Sequence, residues 1–300
     1  MATKHPVSSS NAANALQASS LVPHSFFSIH SCTLTLPLGD RVAVEPGVPC
    51  GTCFLCLDGR YNLCEDVQFA GVYPYHGTIQ RYKTHPAKWC HKLPDNVSYV
   101  EGALLEPLSV VIHGIKSVGL SLGRGAVICG AGPIGLIALA AARASGAHPL
   151  VITDLEPKRL KFAKKFVQTA ITYQVDRTLD AQGNAKKIRE LFDFENVGEY
   201  GAPETVLECT GVESSVVTAA YTARRGGTVV VIGVGREIMN NLPFMHLSLA
   251  EVCLLSPLFT LPSILGVRSL LTQTHRSISS SSTATAIHGL LAYNVWPVVF

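Results

Sequence analysis

The chain has 300 residues, of which 47% are hydrophobic and 15% charged, which suits one large domain or two ordinary ones. Its net charge of +3 is too small to predict nucleic acid or a membrane surface as a partner. No run is long and apolar enough to span a bilayer, and the closest, Val252–Val267, is short and broken by Pro257 and Pro262. Nine cysteines, four of them clustered, indicate a reduced, cytoplasmic compartment and one metal site rather than a disulfide scaffold.

The first segment, residues 1–37, is expected to be a disordered leader. It is rich in Ser, Ala and Asn, and it has Lys4 but no Arg and no acidic residue. A mitochondrial presequence, the alternative, would carry several arginines. Order is predicted from residue 38, with strands over Arg41–Glu45, which alternates in polarity, and over Thr78–Tyr82.

Four cysteines follow the first strand with the spacing C-x2-C-x2-C-x7-C: Cys50, Cys53, Cys56 and Cys64. Four thiolates this close can surround one tetrahedral Zn²⁺ and leave no open position, so the predicted zinc site is structural rather than catalytic. An iron–sulfur cluster is the alternative, but the bacterial ferredoxin pattern has a shorter last gap and a proline after the fourth cysteine. Glu65 follows the fourth cysteine in this chain.

A helix is predicted after residue 98, because Ser98 and Glu101 form a capping box. It is expected to end near His113-Gly114. Glu106 lies within this otherwise apolar helix, where a carboxylate that is buried without a partner is costly. Two interpretations stay open: a buried ion pair, or a ligand of a metal ion or a water molecule.

The segment Ala126–Asp154 has the order strand, G-x-G-x-x-G, helix, strand and terminal Asp that is typical of a dinucleotide site. Gly130 permits the tight turn, Gly132 lets a pyrophosphate approach the backbone, and Gly135 allows close packing of helix and strand. The helix N-terminus attracts the phosphate. Asp154 can accept hydrogen bonds from the ribose hydroxyls and repels a 2′-phosphate, so NAD is favoured over NADP. A glycine-rich turn in an unrelated α/β unit is the alternative.

Strands and helices continue to alternate after this unit, as in a doubly wound parallel sheet. Predicted strands over Thr205–Cys209 and Thr228–Ile232 end at the ligand-binding edge, the second of them at Gly233-Val234-Gly235. The cysteine that ends the first of these strands is interpreted as a packed core thiol. Arg159 lies either over the adenosine or on a solvated helix face. From about Val252 onwards the chain cannot be fitted to the sheet.

Several segments together closely resemble the zinc-dependent medium-chain polyol dehydrogenases, a group with sorbitol, xylitol and fungal L-arabinitol dehydrogenases. They are GDRVAVEPGVPCGTCFLC, HPAKWCHKLPDNVSYVEGALLEPLSV, CGAGPIG, VITD and ECTG. The resemblance implies an incomplete GroES-like catalytic domain over 38–115 and a Rossmann NAD-binding domain over 116–252, with 1–37 and 253–300 unmatched. It also implies a homotetramer and NAD-linked oxidation of a sugar alcohol to the ketose, assisted by a catalytic zinc.

The resemblance also assigns roles to individual residues. By motif match, Glu106 corresponds to the zinc- or water-binding carboxylate, and the four clustered cysteines correspond to the structural zinc ligands. The matched NAD contacts are Ile134, Asp154, Arg159, Ile232, Gly233 and Val234.

The chain departs from this family at the catalytic zinc. No segment like G-x-C-G-x-D and no His-Glu pair occurs in it, and the aromatic Arg-Tyr segment after Glu251 is replaced. Since a catalytic zinc uses three protein ligands, Glu106 alone cannot hold one, and little or no turnover is expected. Two alternatives remain: a non-catalytic NAD-binding zinc protein, or a misannotated gene fragment.

Overall fold

The structure, a computed structural model, describes residues 36–192 and 198–256. The expected leader, apart from its last two residues, and most of the expected tail lie outside these ranges. Within them, no helix combines the length and the apolar character that crossing a membrane requires.

The first part of the described chain consists of two short antiparallel ladders around residues 50–64, here called the cysteine segment. Strand β1 (Val42–Val44) pairs with β4 (Cys90–Lys92), and β2 (Gly47–Val48) pairs with β3 (Gln68–Phe69). Between β2 and β3 lie helix α1 (Phe54–Leu57) and a 3₁₀ turn (Tyr61–Leu63), and a second 3₁₀ turn (Ala87–Trp89) precedes β4. The strand predicted over Arg41–Glu45 is confirmed.

The strand predicted over Thr78–Tyr82 is wrong. These residues form bends and irregular backbone without ladder partners among the described residues, and Ile79 and Tyr82 are exposed. Gln80 instead donates its side-chain amide to the carbonyl of Gly77, a local turn-like contact. Alternating polarity alone does not make a strand when no neighbouring strand supplies the hydrogen bonds.

The helix predicted after Ser98 is two helices, α2 (Tyr99–Ala103) and α3 (Leu105–Ser117). The capping box is confirmed in both directions. The break falls at Leu104, because Pro107 has no N–H for the carbonyl four residues earlier. The predicted end near Gly114 is wrong: Gly114 is buried inside α3 and brings the helix close to Ile232, 3.0 Å from where a Cβ would lie.

The rest of the described chain forms one six-stranded parallel sheet with the order β10-β9-β8-β5-β6-β7. Its strands are β5 (Ala126–Cys129), β6 (Leu150–Asp154), β7 (Ile171–Gln174), β8 (Thr205–Glu208), β9 (Thr228–Val231) and β10 (Cys253–Leu255). The helices between them are α4 (Pro133–Ala144), α5 (Pro157–Phe166), α6 (Ala181–Arg189), α7 (Glu213–Thr222) and α8 (Phe244–Leu249). The strand order reverses between β5 and β8, and such switch points are where doubly wound sheets bind ligands.

Two apolar layers cover the sheet, one on each face. Alternate residues of the buried strands point to opposite faces, so Ile128 packs with α3, α4 and α5 while Val127 packs with α6, α7 and α8. This two-sided burial explains why the strands are almost continuously apolar.

The sheet continues past the expected domain end at residue 252. Strand β10 pairs in parallel with β9, with Cys253 opposite Thr228. The expectation that this part of the tail does not fit the sheet is therefore wrong for Cys253–Leu255. An apolar run without a clear period does not predict an edge strand. This strand is defined by its backbone hydrogen bonds with β9, which the local sequence does not reveal.

Candidate functional site

The loop between β5 and α4 gives each of its three glycines a different geometry. Gly130 has φ +97°, in the left-handed region that favours glycine. Gly132 caps α4, and a Cβ added there would meet nothing within 4 Å. A Cβ on Gly135 would lie 1.8 Å from the carbonyl oxygen of Gly130, so only glycine allows α4 to approach the strand. The turn, the open approach and the close packing thus lie where their predicted roles require.

Asp154 ends β6 beside this loop and ties it down. Its Oδ2 accepts a 2.8 Å hydrogen bond from the Ala131 N–H, and its Oδ1 accepts one of 2.8 Å from the Glu156 N–H. A carboxylate has about four acceptor positions, so both oxygens keep capacity for ribose hydroxyls. Arg159 lies 3.7 Å from Oδ2 and is 60% exposed, so it can either cover an adenosine or stay in solvent.

The loops after β8 and β9 complete this edge of the sheet. Ile232 is buried and packs against Gly114 of α3, while Val234 is exposed beyond Gly233. A cleft of about 750 Å³ opens here, and Thr210, Gly211, Val234, Gly235, Arg236 and Asn241 are among its lining residues. Of the three predicted contacts after β9, Val234 lines this cleft, whereas Ile232 and Gly233 are not among its lining residues.

Cys209 also lies at this edge but is not suited to nucleophilic chemistry. Burial of the sulfur and the neighbouring Glu208 carboxylate raise the pKa of this thiol well above its ordinary value. The thiol therefore stays protonated and unreactive, which agrees with its interpretation as a packed core group.

Away from this edge, the four clustered cysteines converge as their spacing predicts. Their sulfurs all lie within 4.8 Å of one another, and the Sγ atoms of Cys50 and Cys56 are 3.8 Å apart. Around a zinc ion bound at about 2.3 Å by four thiolates, tetrahedral geometry places the sulfurs about 3.8 Å apart. The four side chains therefore fit a single closed tetrahedral zinc site.

Backbone groups around the cluster support its sulfurs. The N–H groups of Cys53 and Cys50 lie 3.4 Å from the sulfurs of Cys50 and Cys64, respectively. Backbone hydrogen bonds from Thr52 and Cys53 lower the pKa of Cys50 to about 6. Desolvation and the neighbouring thiols raise the pKa of Cys56 to about 12, since a second negative charge is opposed there. A cation bound by the four sulfurs would remove that opposition and favour the thiolate form of all four.

Glu106 stands apart from both sites. It lies in the first turn of α3, and burial raises the pKa of its carboxyl. No ion pair or hydrogen bond holds this carboxylate within residues 36–192 and 198–256, so the buried ion pair is not formed there. In the same ranges the four cysteines are the one group of three or more metal-ligating side chains close enough to share an ion. The described residues therefore supply no set of three ligands that includes Glu106.

Known proteins resemble both the part of the chain that holds the cysteine cluster and the part that holds the glycine loop. Two family models match: "Alcohol dehydrogenase GroES-like domain" over residues 29–95 and "Zinc-binding dehydrogenase" over 133–267. An L-arabinitol 4-dehydrogenase of Aspergillus oryzae is 52% identical over 219 residues, which cover 71% of this chain and 56% of that protein. A sorbitol dehydrogenase of Bos taurus is 44% identical over 214 residues, which cover 71% and 57%. The chain belongs to the zinc-binding dehydrogenases, in their polyol dehydrogenase branch.

The fold of this zinc-binding dehydrogenase agrees with that membership. A protein of Sinorhizobium meliloti 1021, solved bound to NADP, has a TM-score of 0.68 and 25% identity, covering 79% of this chain and 67% of that one. The predicted class, α/β with a GroES-like part and a doubly wound parallel sheet, is confirmed. The chain spans just over half the length of the two curated relatives, 56% and 57%. The family matches begin before residue 38 and end after residue 252, so they extend beyond the resemblance seen in the sequence.

Sequence reasoning missed two buried carboxylates in this zinc-binding dehydrogenase. Glu45, 1% exposed, accepts hydrogen bonds from Tyr61 (2.9 Å) and His91 (2.8 Å) and so joins the cysteine segment to β4. Glu208, 0% exposed, ends β8, and Thr210 and Gly211 shortly after it line the cleft. A glutamate in an apolar strand was the available signal, because a charge is buried only where partners are provided.

Proposed function

We propose that this zinc-binding dehydrogenase takes part in the NAD-dependent oxidation of a sugar alcohol to the ketose, with a polyol of the L-arabinitol, sorbitol or xylitol type as substrate. The observation that carries the proposal is the edge at which the glycine loop, Asp154 and the loops after β8 and β9 meet. The names of the two polyol dehydrogenase relatives support the substrate class.

The cofactor proposed is NAD. A pyrophosphate would reach the α4 N-terminus over the open space at Gly132, and Ile134 and Gly135 follow in the first turn. Asp154 would hold the ribose hydroxyls, with Arg159 nearby, and its charge would disfavour a 2′-phosphate. Ile232, Gly233 and Val234 would contact the nicotinamide end. The residues present therefore bind and orient the cofactor, whose ring supplies the hydride chemistry.

Zinc is proposed in a structural role at Cys50, Cys53, Cys56 and Cys64. The closed set of four thiolates holds the loop between β2 and β3 without offering an open coordination position.

Glu106 is proposed as the one described residue that contributes to a catalytic zinc. Its raised pKa reflects burial without a partner, and a nearby cation would stabilise the charged form. At that position the metal would supply Lewis acidity toward the alcohol oxygen. Since three protein ligands are typical, at least one further ligand has to come from outside residues 36–192 and 198–256.

The proposal is tested by measuring NADH formation from L-arabinitol, sorbitol and xylitol, together with the zinc content of the full chain. Polyol-dependent NADH formation with two zinc ions per chain supports the proposal and overturns the expectation, from the sequence, of little or no turnover. One zinc ion per chain with NAD+ binding but no turnover contradicts the proposed reaction and leaves an NAD-binding zinc protein.

We also propose a cytoplasmic homotetramer. Free thiols support the compartment, since the eight described cysteines are unpaired even where two sulfurs are 3.8 Å apart. Sedimentation equilibrium of the zinc-loaded chain tests the assembly, and a monomer at every concentration would contradict it.

A further inference from the structure

Glu208 is a fully buried charge that the proposed reaction does not use. It is the last residue of β8, with 0% of its surface exposed. Four donors surround its carboxylate: Oε1 accepts from the Thr210 N–H (3.0 Å), the Thr210 hydroxyl (2.5 Å) and the Ser215 hydroxyl (2.9 Å), and Oε2 accepts from the Gly211 N–H (2.9 Å). No cation pairs with it in the described part of the chain. Every one of these donors belongs to the turn after β8 or to the first turn of α7.

That turn is the middle member of three loops in direct contact. On one side, the Thr210 methyl group lies 2.7 Å from where a Cβ of Gly130 would be. On the other, Gly211 has φ +68°, and a Cβ there would lie 2.5 Å from the Val234 carbonyl carbon. There is no room for even a methyl group at either contact, so the middle loop sets the spacing of its two neighbours.

The backbone of Glu208 also holds the third loop. Its carbonyl accepts hydrogen bonds from the N–H groups of Ile232 (2.7 Å) and Gly233 (3.0 Å). One residue therefore fixes the turn after β8 through its side chain and the turn after β9 through its main chain.

We propose that Glu208 is a positioning residue for the nicotinamide half of the cofactor. Its carboxylate holds Thr210 and Gly211 in the conformation that spaces the Gly130 and Gly233 loops across the switch point. The inference rests on the proposed NAD site and adds to it a residue that does not touch the cofactor. The adenosine half depends instead on Asp154, whose hydrogen bonds do not involve Glu208.

The test is the Glu208→Gln variant of the full zinc-loaded chain, titrated calorimetrically with NAD+ and separately with AMP. The amide keeps the size of the side chain but points an N–H₂ group at N–H or O–H donors, so the turn loses at least one hydrogen bond. We expect NAD+ to bind about tenfold more weakly, ~1.4 kcal/mol, with AMP affinity unchanged. Ser215→Ala removes only one donor. Its NAD+ affinity should therefore lie between the affinities of Glu208→Gln and the wild type.

Glu45→Gln is the matched control, since it makes the same change at a buried glutamate of the first part of the chain. It should lower thermal stability without altering NAD+ affinity. Unchanged NAD+ affinity in Glu208→Gln, or an equal loss for NAD+ and AMP, would overturn the positioning role. If Glu208→Gln does not fold, the same two titrations are made with Ser215→Ala and Thr210→Val. Unchanged NAD+ affinity, or an equal loss for NAD+ and AMP, would again overturn the positioning role. Failure of the wild type to bind either ligand would overturn the proposed NAD site itself.

Discussion

At the residue scale, the three glycines of the β5–α4 loop are constrained by different neighbours. Gly130 and Gly135 are constrained by the protein, through a positive φ at one and a 1.8 Å approach to a carbonyl oxygen at the other. Gly132 has a negative φ of −79° and open space beside it, so the protein alone would tolerate a side chain there. At the proposed NAD site, it is the approach of the pyrophosphate that would require glycine here.

This difference predicts the behaviour of Gly132→Val. The variant should fold with stability close to that of the wild type, because a Cβ added at Gly132 meets nothing within 4 Å. NAD+ affinity should fall by about tenfold or more, ~1.4 kcal/mol at least, because the side chain occupies the approach of the pyrophosphate. Calorimetry and thermal unfolding measure the two effects, and Gly135→Ala is the control that should destabilise the fold itself. Unchanged affinity in Gly132→Val would place the cofactor elsewhere.

The residues that sequence reasoning identified share one property: their signal is local. Gly130, Gly132, Gly135 and Asp154 are recognised by spacing within one strand–helix–strand unit. Glu208 is not, because its function depends on the fold of the turn that follows it and on contacts with loops from other strands. The pattern around Glu106 is local too. Whether its carboxylate has an ion-pair partner or a further metal ligand, however, depends on residues distant in the chain.

At the element scale, the cysteine segment has little apolar packing to stabilise it apart from the proposed zinc ion. Its one helix, α1, is four residues long and has no buried residue, and Phe54 and Leu57 are exposed. A segment without a core depends on its cross-links, which here are the proposed metal and the hydrogen bonds of Glu45 with Tyr61 and His91.

Cys56→Ser should therefore lose the structural zinc and unfold the segment around it. Structural zinc contributes on the order of 10 kcal/mol to folding in small domains, and a hydroxyl is a poor substitute for a thiolate. Metal analysis and limited proteolysis should show the loss of zinc and new cleavage between β2 and β4. Cys253→Ser, at an exposed cysteine outside the cluster, is the control and should retain zinc. A protease-resistant Cys56→Ser protein without zinc would show that the metal is dispensable.

The elements predicted correctly are those whose ends are marked by a local capping or turn motif in the sequence. The capping box at Ser98 and the glycine loop after β5 fix where α2 and α4 begin. Predictions failed where long-range packing decided the outcome: Gly114 continues α3 because it packs on Ile232, and Cys253–Leu255 is a strand because β9 offers a free edge. Neither partner is visible from the local sequence.

At the scale of the whole molecule, two half-buried histidines should make stability depend on pH. Burial, with a smaller contribution from nearby lysines, lowers the pKa values of His85 and His113 from the ordinary 6.5. Below 6.5 the unfolded chain therefore binds more protons than the folded one, so stability is present above this pH and is lost as pH falls.

Urea unfolding of the zinc-loaded chain from about pH 7.5 to about pH 5.5 measures this dependence. The wild type should lose stability over this window, and His113→Gln should show a shallower dependence. Zinc content is measured at each pH, so that loss of metal is separated from histidine protonation. A slope that is the same in His113→Gln as in the wild type would show that this histidine does not contribute.

The proposed function depends on one property of the molecule, the binding of NAD at the edge where the three loops meet. Calorimetric titration of the zinc-loaded chain with NAD+ and with NADP+ tests it most directly. We predict that NAD+ binds and that NADP+ binds at least about tenfold more weakly, because the Asp154 carboxylate meets the 2′-phosphate with a like charge. Absence of NAD+ binding, or a preference for NADP+, would contradict the account.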